Sequence, residues 1–244
     1  MGLFSRKKSI IQADLLRGAI DRHSHILYGV DDGVATLEES LQCLSFYEHN
    51  GLSDLWLTPH VMEDIPNTTE RLKTRFKDLE MAYIPEGEAY TGKVRLHLAA
   101  EYMLDNEFDK RLEAGDLLTM ENNVVLVETS ALAPPIDLYA FLEKIKSKGY
   151  HPLLAHVERY NYMTPKDYDR LHEMGVRMQL NLASLTGGYG EGSLRRAKVL
   201  MEKDYYSVFG SDCHRFRNIS HNYNKDVFKK DALAKIDFLL HNRE

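Results

Sequence analysis

The residues of this chain that can do chemistry recur in one setting, the ends of short apolar runs. Asp21-Arg22-His23-Ser24-His25 closes the first run, Thr58-Pro59-His60 the second, Ala99-Ala100-Glu101 the third and Val127-Glu128 the fourth; Ala155-His156 and Ser211-Asp212-Cys213-His214 close two more. Period-two alternation along extended chain sets Asp21, His23 and His25 on one face, with Arg22 and Ser24 on the other. A His-x-His on one strand face is a local geometry that chelates a cation, and Asp212-x-His214 repeats it near the C-terminus. A single strand-end His or Glu is ordinarily a solvated or capping residue. Ligand types ending run after run, with no Lys among them, point instead to a metal site. Neutral imidazole mixed with carboxylate suits Mn²⁺, Fe²⁺ or Zn²⁺, and no thiolate is needed, Cys213 lying on the wrong face of its strand. With the histidines neutral and Asp32, Glu101, Glu128 and Asp212 ionised, the set carries −4. Three divalent ions would leave +2, suited to a phosphate dianion, where two would leave neutrality.

For these residues to meet, the runs that carry them must lie side by side. They read as strands over 19–25, 52–60, 94–101, 123–128, 152–156, 177–181 and 206–212, with helices over 36–50, 68–83, 105–113, 136–148, 166–174, 193–203 and 226–242. Thr36 with Glu39 forms a capping box, and Thr164-Pro165 sets a cap ahead of proline at the first helical position. Gly51, Gly149 and Gly175 fall where a helix ends on a left-handed residue. Strand alternating with helix implies a parallel sheet. About seven such units imply closure into a distorted (β/α)7 TIM-like barrel, with the ligand residues at the C-terminal strand ends, where such barrels keep their active sites.

Composition narrows the function further. A chain of 244 residues with 43% hydrophobic and 28% charged residues suits one soluble globular domain. Its net charge of −6 argues against nucleic acid as a partner. Two cysteines, Cys43 and Cys213, are too few for a disulfide scaffold and fit a reducing cytosol. No run approaches the ~20 apolar residues of a membrane span, so no stable membrane insertion is expected. The basic start Met1-Gly2-Leu3-Phe4-Ser5-Arg6-Lys7-Lys8 is followed by too short an apolar stretch for a signal peptide, and a frayed terminus is expected there.

The motifs Asp21–His25, Val30-Asp31-Asp32-Gly33, Thr58-Pro59-His60, Glu101, Val127-Glu128, Ala155-His156-Val157-Glu158-Arg159-Tyr160 and Ser211-Asp212-Cys213-His214 resemble the polymerase and histidinol phosphatase (PHP) superfamily. Within it they are most similar to the bacterial manganese-dependent protein tyrosine phosphatases of capsule and exopolysaccharide clusters. The resemblance starts at about Ala19, giving a phosphatase domain over 19–244 after a basic extension over 1–18. It implies a cytoplasmic metal-dependent phosphoric monoester hydrolase that cleaves phosphotyrosine by metal-activated water. The substrate it implies is a phosphotyrosine protein, the tail of a membrane tyrosine kinase. It also implies a trinuclear site, with Mn²⁺ foremost. His23, His25, Glu101 and Asp212 would hold one ion; Glu101, bridging, with Glu128 and His156 a second; Asp32, His60 and His214 a third. Asp31 competes with Asp32 for that place. Arg159 matches a phosphate-binding arginine, and a second follows the last histidine, either Arg215 or Arg217, with Arg217 preferred. Arg22 and Tyr28 depart from the family pattern; Arg22 should point away from the metals.

Arg159 would grip phosphate through two N–H groups, as lysine cannot; its competing role is an ion pair with Glu158. Tyr28, Tyr102, Tyr160 and Tyr162 fall in loops near the expected mouth and are candidates to stack on a substrate ring. A cysteine-dependent tyrosine phosphatase needs an arginine six positions after its cysteine, where this chain has His49 and Ile219. The alternative is a PHP-type phosphoesterase or nuclease acting on a small phosphate monoester or nucleic acid, and the acidic charge counts against the latter. A module that binds phosphotyrosine without cleaving it would be expected to lack a ligand, and none is missing.

Overall fold

In the computed structural model, residues 7–83 and 94–242 are described. The expected strands and helices alternate, but the strands are shorter than their apolar runs. They are β1 (Ile20–Asp21), β2 (Asp54–Leu57), β3 (His60–Val61), β4 (Arg95–Leu98), β5 (Glu101–Met103), β6 (Val124–Glu128), β7 (His151–Leu154), β8 (Arg177–Asn181) and β9 (Val208–Gly210). The helices are α1 (Leu37–His49), α2 (Thr69–Tyr83), α3 (Asn106–Ala114), α4 (Leu138–Ser147), α5 (Pro165–Glu173), α6 (Leu182–Leu185), α7 (Gly190–Glu202), α8 (Phe216–Tyr223) and α9 (Lys230–His241).

Two expected strands are each broken in two. Pro59 has no N–H to donate, so the 52–60 run stops at Leu57 and resumes at His60. The 94–101 run breaks opposite it at Ala99-Ala100. The halves stay in step, because Ala99 N donates to Leu57 O at 3.0 Å and Glu101 N to Pro59 O at 3.1 Å. β1, β2 and β4 therefore continue into the order β3-β5-β6-β7-β8-β9, and every one of these pairs is parallel.

The sheet curls into a partial barrel. Its last strand returns to its first: Asp212 N donates to His23 O at 2.8 Å and His25 N to Cys213 O at 2.9 Å. Alternation along the strands separates two apolar layers. Trp56, Leu126, Leu153, Ala155 and Val208 pack in a smaller cluster. Their neighbours Leu57, Val125, Val127, Leu154 and Phe209 belong to the larger core that includes the helices.

Local signals act largely as read. Thr36 Oγ1 accepts from Glu39 N at 3.3 Å, Thr164 N donates to Asp167 Oδ2 at 2.7 Å, and Gly51, Gly149 and Gly175 all have positive φ. The expected 226–242 helix begins only at Lys230, because Phe228 is drawn into backbone pairing with Lys8, N to O at 3.1 Å and O to N at 3.0 Å. α6 and α8 occupy segments read as loop. Residues 1–6 of the basic extension lie outside the described residues. From Lys8 onward that segment packs on the domain, with Ile10 and Leu16 in the main core. Among the described residues no helix is long and apolar enough to cross a membrane.

Candidate metal centre

All nine candidate ligands come together at one mouth of the sheet. His23 and His25 follow β1, Asp32 lies in the loop before α1, His60 opens β3, Glu101 opens β5, Glu128 closes β6, His156 follows β7, and Asp212 and His214 follow β9. Glu101 lies at the centre. Its Oε2 is 3.2 Å from His23 Nε2, 3.2 Å from His25 Nε2 and 3.1 Å from His60 Nδ1, while Oε1 is 3.0 Å from His156 Nε2. Asp212 Oδ1 lies 3.5 Å from His23 Nε2 and 3.3 Å from His25 Nε2. Glu128 is 3.1 Å from His60 Nδ1 and 3.7 Å from His156 Nε2.

Three sets within this cluster could each converge on one ion: His23, His25 and Glu101; His60, Glu101 and Glu128; and His25, Asp32, His60 and His214. Glu101, expected as a bridge, serves two sets, and His25 and His60 each do so as well, a tighter overlap than the single shared residue expected from the sequence.

Residues behind the cluster orient it. Gln179 Oε1 accepts from His23 Nδ1 at 2.8 Å and Asp31 Oδ2 from His25 Nδ1 at 2.9 Å. In their neutral form both rings then turn an unprotonated Nε2 inward, the arrangement usual for metal-binding histidines. These two Nε2 atoms face each other at 2.9 Å beside Glu101 Oε2, a buried atom with no hydrogen-bond partner. Lone pairs and a carboxylate oxygen converging in a dry interior repel unless protons or a cation sit among them, so the donor set fits divalent metal.

The two aspartates separate cleanly. Asp31 faces inward, accepting from His25 Nδ1, His60 N and Gly33 N. Asp32 Oδ1 lies 3.4 Å from His214 Nε2 and 3.6 Å from His60 Nε2. Hydrogen bonding from His214 draws Asp32 down to about 2. Burial opposes charge on Glu101 and Asp212, yet the surrounding histidines hold both well below the usual carboxylate range. Burial likewise opposes protonation of His25, and Asp212, Asp31 and Glu101 outweigh it, raising its pKa well above 6.5. His156 (φ 33°) and Asp212 (φ 51°) both sit in the left-handed region, a conformation that costs about 1–3 kcal/mol each and gathers at functional sites.

Above the cluster opens a cavity of about 360 Å³ lined by His60, Glu128, His156, Asp212 and His214, and by Arg159. Arg159 Nη1 donates to Asp212 Oδ2 at 2.9 Å. The competing partner Glu158 is turned away and buried, accepting from Asn181 N and Tyr206 Oη. Arg215 reaches back to the carbonyls of Asp32, Gly33 and His214. Arg217 is exposed on α8, and neither arginine lines the cavity.

The expected tyrosines do not line it either. Tyr102 and Tyr160 are fully buried, Tyr162 Oη bonds Thr129 Oγ1, and Tyr28 lies under Arg75. Tyr189 lines it instead, from the Gly187-Gly188-Tyr189 turn just ahead of α7, its ring 4.2 Å from the Arg159 guanidinium carbon. Asn181 was also missed; its Nδ2 donates to Asp212 Oδ2 at 2.8 Å. Arg22 points away from the histidines and donates to Asn242 O, and Cys213 takes no part, its Sγ contacting Arg215 O.

A curled parallel α/β sheet with His, Asp and Glu gathered at one mouth defines an enzyme with a cluster of metal-ligand residues. The chain belongs to the capsular polysaccharide synthesis CpsB/CapC family, which it matches over residues 19–226. It is 29% identical over 203 residues to the tyrosine-protein phosphatase CpsB of Streptococcus pneumoniae, covering 80% of this chain and 82% of that protein. To the tyrosine-protein phosphatase YwqE of Bacillus subtilis it is 24% identical over 229 residues, 91% and 88% of the two chains. A crystal structure from work on YwqE and CpsB, described as metal-dependent tyrosine phosphatases, superposes with a TM-score of 0.75 at 22% identity, over 92% of this chain and 88% of that one.

Proposed function

We propose that this protein is a cytoplasmic metal-dependent protein-tyrosine phosphatase holding three divalent ions, Mn²⁺ foremost. The observation that carries this is the convergence of His23, His25 and His60 on the unpartnered Oε2 of Glu101, beneath a cavity edged by Arg159. His23, His25, Glu101 and Asp212 would hold one ion, Glu101, Glu128 and His156 the second, and Asp32, His60 and His214 the third. The inward engagement of Asp31 supports Asp32 as the ligand. Divalent ions there supply Lewis acidity toward phosphoryl oxygens and acidify water to near neutrality.

The chain's own residues bind and orient. Arg159 spends Nη1 on Asp212 and keeps its other N–H groups for a phosphate in the cavity. That one oxygen of Asp212 also accepts from Asn181 and Tyr189, which fixes the carboxylate with Oδ1 toward His23 and His25. Arg217, exposed nearby, would assist phosphate from the rim, with Arg215 bracing the Asp32 loop. A phenolate leaves more readily than an alkoxide, its parent pKa being about 10, so no dedicated acid is required. The substrate proposed is a phosphotyrosine protein, a kinase of the capsule or exopolysaccharide system. We read the curled sheet as the seven-unit barrel, β2 with β3 and β4 with β5 each counting as one strand.

The test is to strip metal with chelator, restore Mn²⁺, and compare turnover of p-nitrophenyl phosphate, a phosphotyrosine peptide and a phosphoserine peptide. Activity should vanish, return, and favour phosphotyrosine. Turnover that survives complete metal removal would overturn the assignment.

A further inference from the structure

The ligand cluster and Arg159 account for recognition of a phosphate, and nothing in them distinguishes an aryl ester from an alkyl one. Three further residues line the same cavity with apolar or aromatic surface: Met62, Ile65 and Tyr189. They stand on different sides. Met62 and Ile65 follow β3 and Tyr189 follows β8, and β5, β6 and β7 lie between those strands in the sheet.

Both sides are built, not loose. Met62 and Ile65 close a tight turn through paired backbone bonds, Met62 N to Ile65 O at 3.2 Å and Ile65 N to Met62 O at 3.0 Å. Glu63 N in that turn donates to Asp105 Oδ2 at 2.8 Å, and Asn67 Nδ2 behind it holds the carbonyls of His60 and Val30. Across the cavity, Tyr189 is fixed by its hydroxyl on Asp212 Oδ2 at 3.3 Å and by the Arg159 guanidinium over its ring. Met62 and Ile65 are half-buried and Tyr189 is 39% exposed, so each keeps apolar surface turned to the opening.

We infer that Tyr189 and the Met62–Ile65 turn are specificity-determining residues: they form the two walls of a slot that takes the substrate's aromatic ring while the polar floor takes its phosphate. An aromatic ring gains by burying its faces against an aromatic or thioether surface. The short methylene of phosphoserine offers those walls almost nothing, and its peptide backbone would have to descend between them. This inference rests on the phosphatase reading and adds to it the source of selectivity.

The Mn²⁺-loaded protein is compared with Tyr189→Leu, Tyr189→Phe and the double variant Met62→Ala/Ile65→Ala. The measurements are kcat/KM for phosphotyrosine and phosphoserine peptides and calorimetric affinity for phenylphosphonate, methylphosphonate and inorganic phosphate. Tyr189→Leu and the double variant should each cut the aryl preference about tenfold, in turnover and in phosphonate binding alike. Tyr189→Phe should retain it. Inorganic phosphate should bind the double variant as it binds wild type, which separates the wall from the floor even if loss of Tyr189 disturbs Arg159. Unchanged preference in both wall variants, or equal wild-type affinity for the two phosphonates, overturns the inference. A wild-type protein inert toward every phosphomonoester would strike the phosphatase assignment instead, and the phosphonate affinities would still judge the slot.

Discussion

In the proposed function Arg159 is the residue on which binding and chemistry meet. Its Nη1 is committed to Asp212 Oδ2 and its plane to the face of Tyr189, so its orientation is set before any substrate arrives. Lysine offers one point charge with no plane to stack and no second N–H in fixed geometry. Arg159→Lys should therefore lower kcat/KM on a phosphotyrosine peptide about a hundredfold, the scale of losing one oriented transition-state donor, while metal content by elemental analysis stays at the wild-type level. Wild-type turnover in that variant would make the arginine a structural prop. The residues that gather here were legible in the sequence, because metal chemistry favours His, Asp and Glu and strand geometry confines them to run ends. Tyr189 and Asn181 were not. An asparagine closing β8 is no strong ligand type, and a tyrosine between glycines gives no sign of its direction until Asp212 and Arg159 are in place. Tyr102 and Tyr160 misled for the converse reason: aromatic residues beside the ligands were needed to fill the core beneath them.

At the scale of elements, the site depends on how closely β9 approaches the residues after β1. Gly210 sits at that contact, where an added Cβ would fall 2.6 Å from His23 Cβ and also meet the amide end of Gln179. Gln179 is the residue that orients His23, so a methyl group there acts on the ligand set and on the sheet closure together. Gly210→Ala should destabilise the protein by about 1–3 kcal/mol, as overpacking does, and weaken metal retention in parallel; a chemical denaturation curve and a metal titration measure the two. A variant as stable and as metal-loaded as wild type would show that the strands can part without cost. The element order was readable because strand and helix periodicities differ. The break at Pro59 and its mate at Ala99-Ala100 were readable only in half: proline marks a lost donor, but that the neighbouring strand breaks in register with it is a fact of pairing. The late start of α9 has the same origin, since Phe228 finds its partner in Lys8, far away in sequence.

For the molecule as a whole, the cluster links stability, metal and pH. With no cation bound, His23 and His25 carry raised pKa values and Glu101 and Asp212 lowered ones, each set by the other against the burial of all four. The raised histidines stabilise the fold below their ordinary value of 6.5, and that contribution is lost as pH rises through their folded values. The lowered carboxylates stabilise it above their ordinary values of 4.5 and 3.8, losing that as pH falls. Metal-free protein should therefore be most stable at mildly acid pH, between the carboxylate and imidazole ranges, and lose stability toward pH 8 as Glu101 and Asp212 are left facing neutral rings. Divalent metal replaces the missing positive charge, and it must displace the same protons to bind. The rise in Tm on adding Mn²⁺ to chelator-treated protein should thus be small near pH 5.5 and grow by several degrees toward pH 8. Thermal melts across that range with and without Mn²⁺ measure it, and calorimetry in buffers of different ionisation heats counts the protons released. An increment that stays flat with pH, or binding that releases no protons, would mean the imidazoles around Glu101 do not carry the charge that the metal replaces.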